Sequence, residues 1–460
     1  MQSRYSSPVS IASDLRALLG KDSYIVDDPE ILISYQRDQA PFAKAEMPAA
    51  ALIAKNVDEV SQVMKFANER GIPIVTRGAG SGLAGGANAI KDSIVISTEK
   101  LNRIISIDPI NQIAVVEAGV INKDLDKAAA EFGLAYYPDP ASREWSTIGG
   151  NIATNAGGMC CVKYGVTSQH VRAIKVVLAD GEVVDFGFPT RKAVTTLDLM
   201  RLFVGSEGTL GIIVEATVAV LPRQKSPVTL IATFSKISDA TNAAIEMLSL
   251  RPSMLEIMDH TTLQAIEAWK PMGFADCQAL LIMQSDNDAS DCERARDIAR
   301  KHHALEADYS DDPNDSDDLI QVRKLAYPAL ERMGVALLDD VVVPISEISK
   351  LVEGVNRIAN ESKVTIGIFG HAGDGNMHPT IVYPHNDKTA EKLAIKAFNA
   401  IISLAQSLGG TASGEHGIGS LKVNQSAEET SPRVLSLQRS IKATLDPRGI
   451  LNPGKKFTLS

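Results

Sequence analysis

The sequence predicts an α+β chain of more than one domain, and three observations carry that prediction. Up to about Pro222, glycine-rich turns alternate with short β-branched runs such as Ile94-Val95-Ile96 and Ala114-Val115-Val116. From Val228 the texture changes to strand-length apolar runs separated by helix-length amphipathic ones, the pattern of an antiparallel sheet backed by helices. The 460 residues, 45% hydrophobic and 22% charged, suffice for two or three domain cores.

The elements follow in order. Ile11, Leu15, Leu18 and Leu19 mark an amphipathic helix. The leading MQSRYSSPVS lacks the basic-then-apolar order of a signal peptide, and Asp14 interrupts a transit-peptide reading. Val60, Val63, Met64 and Ala67 form the apolar stripe of a helix over 57–70, stopped by Gly71 and Pro73; the strand Pro73-Ile74-Val75-Thr76 follows. Residues 172–186 read as a hairpin turning at Ala179-Asp180-Gly181. Strands are expected at 229–234, 280–283 and 341–343, and helices at 240–250, 292–302 and 348–361. The acidic run from Asp308 to Asp318 lacks the sixth-position glycine and closing glutamate of a calcium loop, so it reads as a solvated linker. One helix follows Pro432. The expected domains are 1–225, 226–430 and 431–460, with no internal repeat.

Composition narrows the function. Forty-six basic against 56 acidic residues leave a net charge of −10, which argues against nucleic acid as a partner. An anionic substrate would then need a locally positive site. Cys160 and Cys161 are adjacent, Cys277 and Cys292 stand alone, and no C-x-x-C occurs, so an iron–sulfur cluster or Cys-type zinc site is not expected and a reducing cytoplasm is. No apolar run approaches the roughly 20 residues of a transmembrane helix.

The densest signal is Arg77-Gly78-Ala79-Gly80-Ser81-Gly82-Leu83-Ala84-Gly85-Gly86. Without Cβ atoms, successive backbone N–H groups can converge on a diphosphate. The bare G-x-G-x-x-G spacing is met, but only Gly86–Asp92 precede the next strand, too few for the crossover helix of a dinucleotide-binding Rossmann unit. Two further small-residue runs, from Ser146 to Gly158 and from Gly205 to Ile213, permit close approach of a large planar ligand. Three such segments around one ligand suggest a dinucleotide with an isoalloxazine ring.

His371 and His378 close the loop Gly370-His371-Ala372-Gly373-Asp374-Gly375-Asn376-Met377-His378, which its glycines exclude from a helix. Two strand runs flank it, so the imidazoles can converge on one ion, with Glu415 of Ser413-Gly414-Glu415-His416-Gly417-Ile418-Gly419 as third ligand candidate. Hydrogen-bonding of the turn by the His pair is the competing reading. His416 is the natural general base, kept neutral by a neighbouring cation; a fourth ligand or a packing residue are its alternatives.

The phrases PIVTRGAGSGLAGGA, STIGGNIATNAGG, VGSEGTLGI, GHAGDGNMH, SGEHGIG and LDPRGILNPGK resemble the flavin-dependent D-2-hydroxy acid dehydrogenases, within the vanillyl-alcohol-oxidase-like flavoproteins, from about Pro48 to Phe457. That resemblance implies a split FAD domain of the PCMH type, an inserted substrate (cap) domain and a C-terminal piece returning to the flavin. It places Arg77, Gly78, Ala79, Gly80, Ser81 and Gly82 on the pyrophosphate. It puts Pro138, Asp139, Ser142, Thr147, Gly150, Asn151, Thr154 and Gly157 along the cofactor, completed by Glu207, Ile213 and Asn452. Residues 77–88 hold no His or Cys, so FAD is expected to be non-covalent. Arg323 matches the family's carboxylate-clamping arginine, against a solvated helix face shared with Lys324. The implied reaction is oxidation of a D-2-hydroxy acid, D-lactate first, with zinc or manganese as the metal. Electrons would pass to a quinone, cytochrome or electron-transfer flavoprotein. A glycolate oxidase flavin subunit with an iron–sulfur partner, a D-2-hydroxyglutarate dehydrogenase and a non-catalytic flavin-binding module are the alternatives. No Lys stands in 337–343 and Thr380 replaces an expected Asn, both against the dicarboxylate. The expected setting is cytoplasmic or peripheral at the inner membrane face, as a homodimer.

Overall fold

The computed structural model describes residues 8–458, with side chains from Ile11 onward apart from Pro313 and Asp317. Readings made on the first seven positions lie outside them. The chain forms two compact units. The first takes residues up to Gly158, Gly165–Arg223 and the segment from Glu415 onward; the second takes Met159–Tyr164 and Gln224–Gly414. The change near Arg223 coincides with the change in sequence texture. The return comes at Glu415, earlier than the expected edge at residue 431, and long-range bonds account for it: Ile418 and Gly419 donate their backbone N–H groups to the Glu207 carboxylate, and Ser420 and Leu421 donate theirs to Ala84 O.

In the first unit, Tyr24–Val26, Ala50–Ile53, Ile94–Ser97 and Ile74–Arg77 form a four-stranded sheet in that order, its first pair antiparallel and the others parallel. Helix Val57–Arg70 starts where Asn56 accepts from Glu59 N and stops at Gly71, left-handed with φ 67°. Its expected stripe of Val60, Val63, Met64 and Ala67 is buried, each larger side chain contributing about 1.5–3 kcal/mol. A second, antiparallel sheet runs Ile104–Asp108, Ile113–Glu117, Ile212–Ala219, Val171–Val177, Val183–Gly187, and its last two strands are the expected hairpin. No helix lies between Arg77 and Ile94, as the loop length requires. Helix Pro432–Leu445 brings the C-terminal phrase back, and Leu451 pairs in parallel with Ile74. Buried Lys442 fixes that return, donating to Thr209 O at 2.7 Å and Leu451 O at 2.8 Å.

The second unit is an eight-stranded antiparallel sheet. Its order is Ala304–Ser310, Val228–Phe234, Ala279–Ser285, Met254–Asp259, Thr365–His371, Asn376–Tyr383, Val335–Leu338, with Val341–Val342 also on Asn376–Tyr383. The acidic run corrects the linker reading: it holds the end of strand Ala304–Ser310 and the start of helix Pro313–Glu331. Asp312 accepts from Asn314 N at 2.8 Å, Pro313 takes the first turn, and Asp315 faces the positive end of the helix. Asp312 and Asp315 thus belong to the start of a helix. Helix Lys388–Ser407, absent from the sequence reading, buries Ala394, Ala397, Phe398, Ile401, Ile402 and Ala405.

Candidate active site

In the first unit the glycine loop leaves the end of strand Ile74–Arg77 and meets helix Ile148–Thr154 at its cap. Thr147 Oγ1 accepts from Gly150 N, and a Cβ on Gly78 would lie 2.3 Å from that same oxygen, so only glycine permits this approach. Arg77 is buried and donates to Arg37 O at 2.8 Å, which turns its guanidinium to holding its own loop; burial pulls its pKa down despite nearby acids. Among the described residues, the buried polar atoms of this region with no protein partner include Thr76 Oγ1, Asn122 Oδ1, Ser146 Oγ, Asn151 Nδ2 and Asn452 Oδ1. Buried polar atoms are nearly always satisfied, so an orphaned set along the expected cofactor path is what a polar ligand would complete. A cavity of about 460 Å³, within the usual range for small-molecule sites, is lined by Ala79, Gly119, Val120, Ile121, Trp145 and Thr147, together with Asn102, Ile104 and the acidic residues Glu99 and Asp124. Of these, only Ala79 and Thr147 were read from the sequence.

The remaining expected cofactor residues divide. Pro138 O accepts from Asn122 Nδ2 at 2.9 Å, Asp139 and Gly157 are buried, and Ser142 O accepts from Trp145 N and Ser146 N. Thr154 Oγ1 bonds back to Gly150 O. Ile213 packs into the apolar cluster with Val176 and Phe203. Glu207, at φ 54°, has both carboxylate oxygens engaged, accepting from Ile418 N at 2.8 Å and Gly419 N at 2.6 Å with Lys456 at 3.3 Å. Its carboxylate thus anchors the loop that carries Glu415 and His416, whose Oε1 and Nε2 atoms lie 3.7 Å apart. Asn452 Nδ2 donates to Gly86 O and Glu207 O, tying the C-terminal phrase to the same loops.

The second unit gathers a different set. Strands Thr365–His371 and Asn376–Tyr383 form a hairpin whose tight turn uses Gly375 at φ 86°. The register pairs His371 with Asn376 and Phe369 with His378, and Glu256 of the neighbouring strand pairs with His371. Cross-strand partners share a face, so Glu256, His371, Phe369, His378 and Thr380 all project to one side of the sheet. There His371 Nε2 lies 3.4 Å from His378 Nε2, with the rings nearly perpendicular. Glu256, fully buried, accepts from His371 Nδ1 at 2.6 Å on one oxygen and from Arg323 Nε at 2.5 Å on the other. Burial alone would raise the Glu256 carboxyl, but the charges and hydrogen bonds of His371 and Arg323 outweigh it and hold it below the usual range. In its neutral form, with Nδ1 donating to Glu256, His371 would carry its lone pair on Nε2. Arg323 also stacks on the Phe369 ring at 4.7 Å, while Lys324 is exposed, so the solvated-face reading of Arg323 does not hold. Asp340, fully buried, accepts from Asn376 Nδ2 and Ser413 Oγ, each at 2.7 Å, and lies 3.9 Å from His378 Nδ1.

The structure therefore brings together His371, His378 and Arg323 in one unit, and the glycine loops, Glu207, Asn452, Glu415 and His416 in the other. Glu256 escaped the sequence reading. The one signal for it is an acid in a strand otherwise as apolar as Met254-Leu255-Ile257-Met258.

Residues 48–187 match the family described as FAD binding domain, and residues 223–456 match FAD linked oxidases, C-terminal domain. The chain belongs to the FAD-linked oxidases, and with its orphaned polar atoms and glycine loops it is an FAD-linked oxidoreductase. More particularly, it is 37% identical to glycolate oxidase subunit GlcD of Bacillus subtilis over 92% of both chains. It is 36% identical to D-lactate dehydrogenase of Archaeoglobus fulgidus over 92% of this chain and 95% of that protein. Among solved structures, p-cresol methylhydroxylase has the same fold, with a TM-score of 0.81 over 98% of this chain and 97% of that one at 19% identity.

Proposed function

We propose that this chain oxidises a D-2-hydroxy acid, D-lactate in the first instance, to the 2-keto acid with non-covalent FAD and a divalent ion, zinc or manganese. The observation that carries the reading is a sheet face on which two imidazoles, His371 and His378, adjoin, and one buried carboxylate, Glu256, is shared by His371 and the Arg323 guanidinium. A small hydroxy acid needs such a pairing: a fork for its carboxylate and nitrogen donors for an ion near its hydroxyl. The relatives' names support the substrate class.

His371 and His378, with Glu415 as third ligand, would hold the ion. Their 3.4 Å Nε2 separation suits two nitrogens bound at 2.0–2.1 Å to a tetrahedral ion, which stand about 3.3 Å apart. When bound, the ion acidifies a hydroxyl and FAD takes up a hydride. Arg323, its Nε committed to Glu256, offers its two terminal nitrogens to the substrate carboxylate. His416 receives the hydroxyl proton. The Gly78–Gly82 backbone holds the diphosphate, and Asn151 and Asn452 turn their unpaired amide atoms to the cofactor. Electrons leave to a quinone, cytochrome or electron-transfer flavoprotein.

Glycolate is the second reading, favoured by the 37% identity to a glycolate oxidase subunit. It predicts co-purification with an iron–sulfur partner. A distal carboxylate is disfavoured because buried Asp340 lies 3.9 Å from His378 and Thr380 supplies no cation. We place the protein in the cytoplasm or at the inner membrane face, as a homodimer; its four cysteines form no disulfide, and no described helix is long and apolar enough to cross a membrane. The test is anaerobic mixing with D- and L-lactate, glycolate and D-2-hydroxyglutarate. D-lactate should bleach the flavin fastest, and a clear preference for the dicarboxylate or the L-acid would overturn the reading.

A further inference from the structure

We infer that Glu256 is a positioning residue that sets the substrate-clamping guanidinium and the metal-binding imidazole as one unit; this rests on the function proposed above. The carboxylate is fully buried on strand Met254–Asp259 and spends one oxygen on each partner, 2.6 Å to His371 Nδ1 and 2.5 Å to Arg323 Nε. Two consequences follow from hydrogen-bond chemistry alone. Acceptance at Nδ1 fixes the His371 tautomer, leaving the Nε2 lone pair facing His378. Acceptance at Nε leaves the other edge of the guanidinium for a ligand, while Phe369 holds its plane from one side. A carboxylate is the one side chain that can accept from both at once. An amide in its place would turn an N–H toward one of the two donors and disrupt that contact.

The cross-strand register explains why this residue can do so. Glu256 is directly opposite His371, so the register places the two side chains as neighbours on one face of the sheet. Arg323 reaches it from helix Pro313–Glu331, whose Val322, Ala326 and Ala329 pack with Met254 and Met258 in the same core. The geometry predicts that metal affinity and carboxylate affinity fall together when Glu256 changes, although it would touch neither ligand.

The experiment compares the full-length wild type with Glu256→Gln, Glu256→Asp and Asp259→Asn. Each protein is stripped with a chelator, retains FAD, and is titrated with manganese alone; KM and kcat for D-lactate are then measured on the reloaded enzymes. Asp259 is the control for plain destabilisation: it sits buried on the same strand and accepts from Thr262 and Ile368 N, with neither His371 nor Arg323 among its partners. Glu256→Gln should weaken manganese binding by about 10–100-fold and raise KM by about tenfold or more. Glu256→Asp, which keeps the charge but shortens the reach, should fold and fall between. Asp259→Asn should lower thermal stability with manganese affinity unchanged. Manganese affinity in both Glu256 variants within twofold of wild type would overturn the inference. If His371→Ala binds manganese as tightly as wild type does, the metal reading itself fails, and this inference with it.

Discussion

Gly78→Ala tests the contact on which the cofactor loop is built. The added Cβ would lie 2.3 Å from Thr147 Oγ1, whereas its next neighbours, Thr147 Cβ at 3.6 Å and Gly150 Cα at 3.8 Å, are at ordinary distance. The hydroxyl must therefore move by about 1 Å, which an overpacked site resists at about 1–3 kcal/mol. Rotating Thr147 relieves the clash but gives up its bond to Gly150 N, an N-cap worth about 1 kcal/mol. The cheaper route sets the expectation: Gly78→Ala loses about 1 kcal/mol, and Thr147→Ala alone loses about as much. Because both act through one oxygen, the double variant should lose about 1 kcal/mol, not about 2, giving a coupling near 1 kcal/mol. Urea unfolding of the flavin-free proteins measures this without mixing in cofactor contacts. Additive losses would refute the reasoning, since they would mean that the loop and the helix cap do not meet through Thr147.

Other expectations are direct. Arg323→Ala should lower apparent affinity for D-lactate by one to two decades, the loss of a charge-assisted contact worth about 1.5–3 kcal/mol; unchanged affinity would leave Arg323 a partner of Glu256 only. His416→Gln should keep FAD and metal while flavin reduction slows by about 10²–10⁴-fold, and loss of metal equal to that in Glu415→Gln would make His416 a ligand. Burial pushes the Cys277 thiol up to about 11 and the Cys292 thiol up to about 12, so at pH 8 their thiolate fractions are about 10⁻³ and about 10⁻⁴. Alkylation of the folded protein at that pH should modify the half-buried Cys160 and Cys161 first, and Cys277 and Cys292 only on unfolding; mass spectrometry showing early labelling of the latter pair would contradict their burial.

Much of the first unit could be read ahead of the structure because its signals are local. The apolar stripe from Val60 to Ala67 and the stop at Gly71 mark a helix, and the seven residues from Gly86 to Asp92 leave no room for another. The loop glycines speak for themselves: a missing Cβ at Gly78 has meaning without knowing that Thr147 is opposite. Charge misled where density overrode position. In the acidic run, Asp312 followed by Pro313 is a helix start, yet the surrounding acids read as a solvated link. Glu256 was out of reach for another reason. Its role is set by register with a residue 115 positions away, and no local pattern encodes that pairing. The return of the chain at Glu415 was likewise hidden, because the Glu207 carboxylate that captures Ile418 and Gly419 lies more than 200 positions earlier.

The central claim, that FAD, a divalent ion and a D-2-hydroxy acid meet in one reaction, is tested most directly by the reductive half-reaction alone. FAD-loaded protein, either chelator-stripped or reloaded with manganese or zinc, is mixed with D-lactate without oxygen, and the visible flavin absorption is followed. The account predicts rapid bleaching of the reloaded protein by D-lactate, little by L-lactate, and bleaching at least a hundredfold slower once the metal is removed. Equal rates with and without metal, or no bleaching by any 2-hydroxy acid, would contradict it.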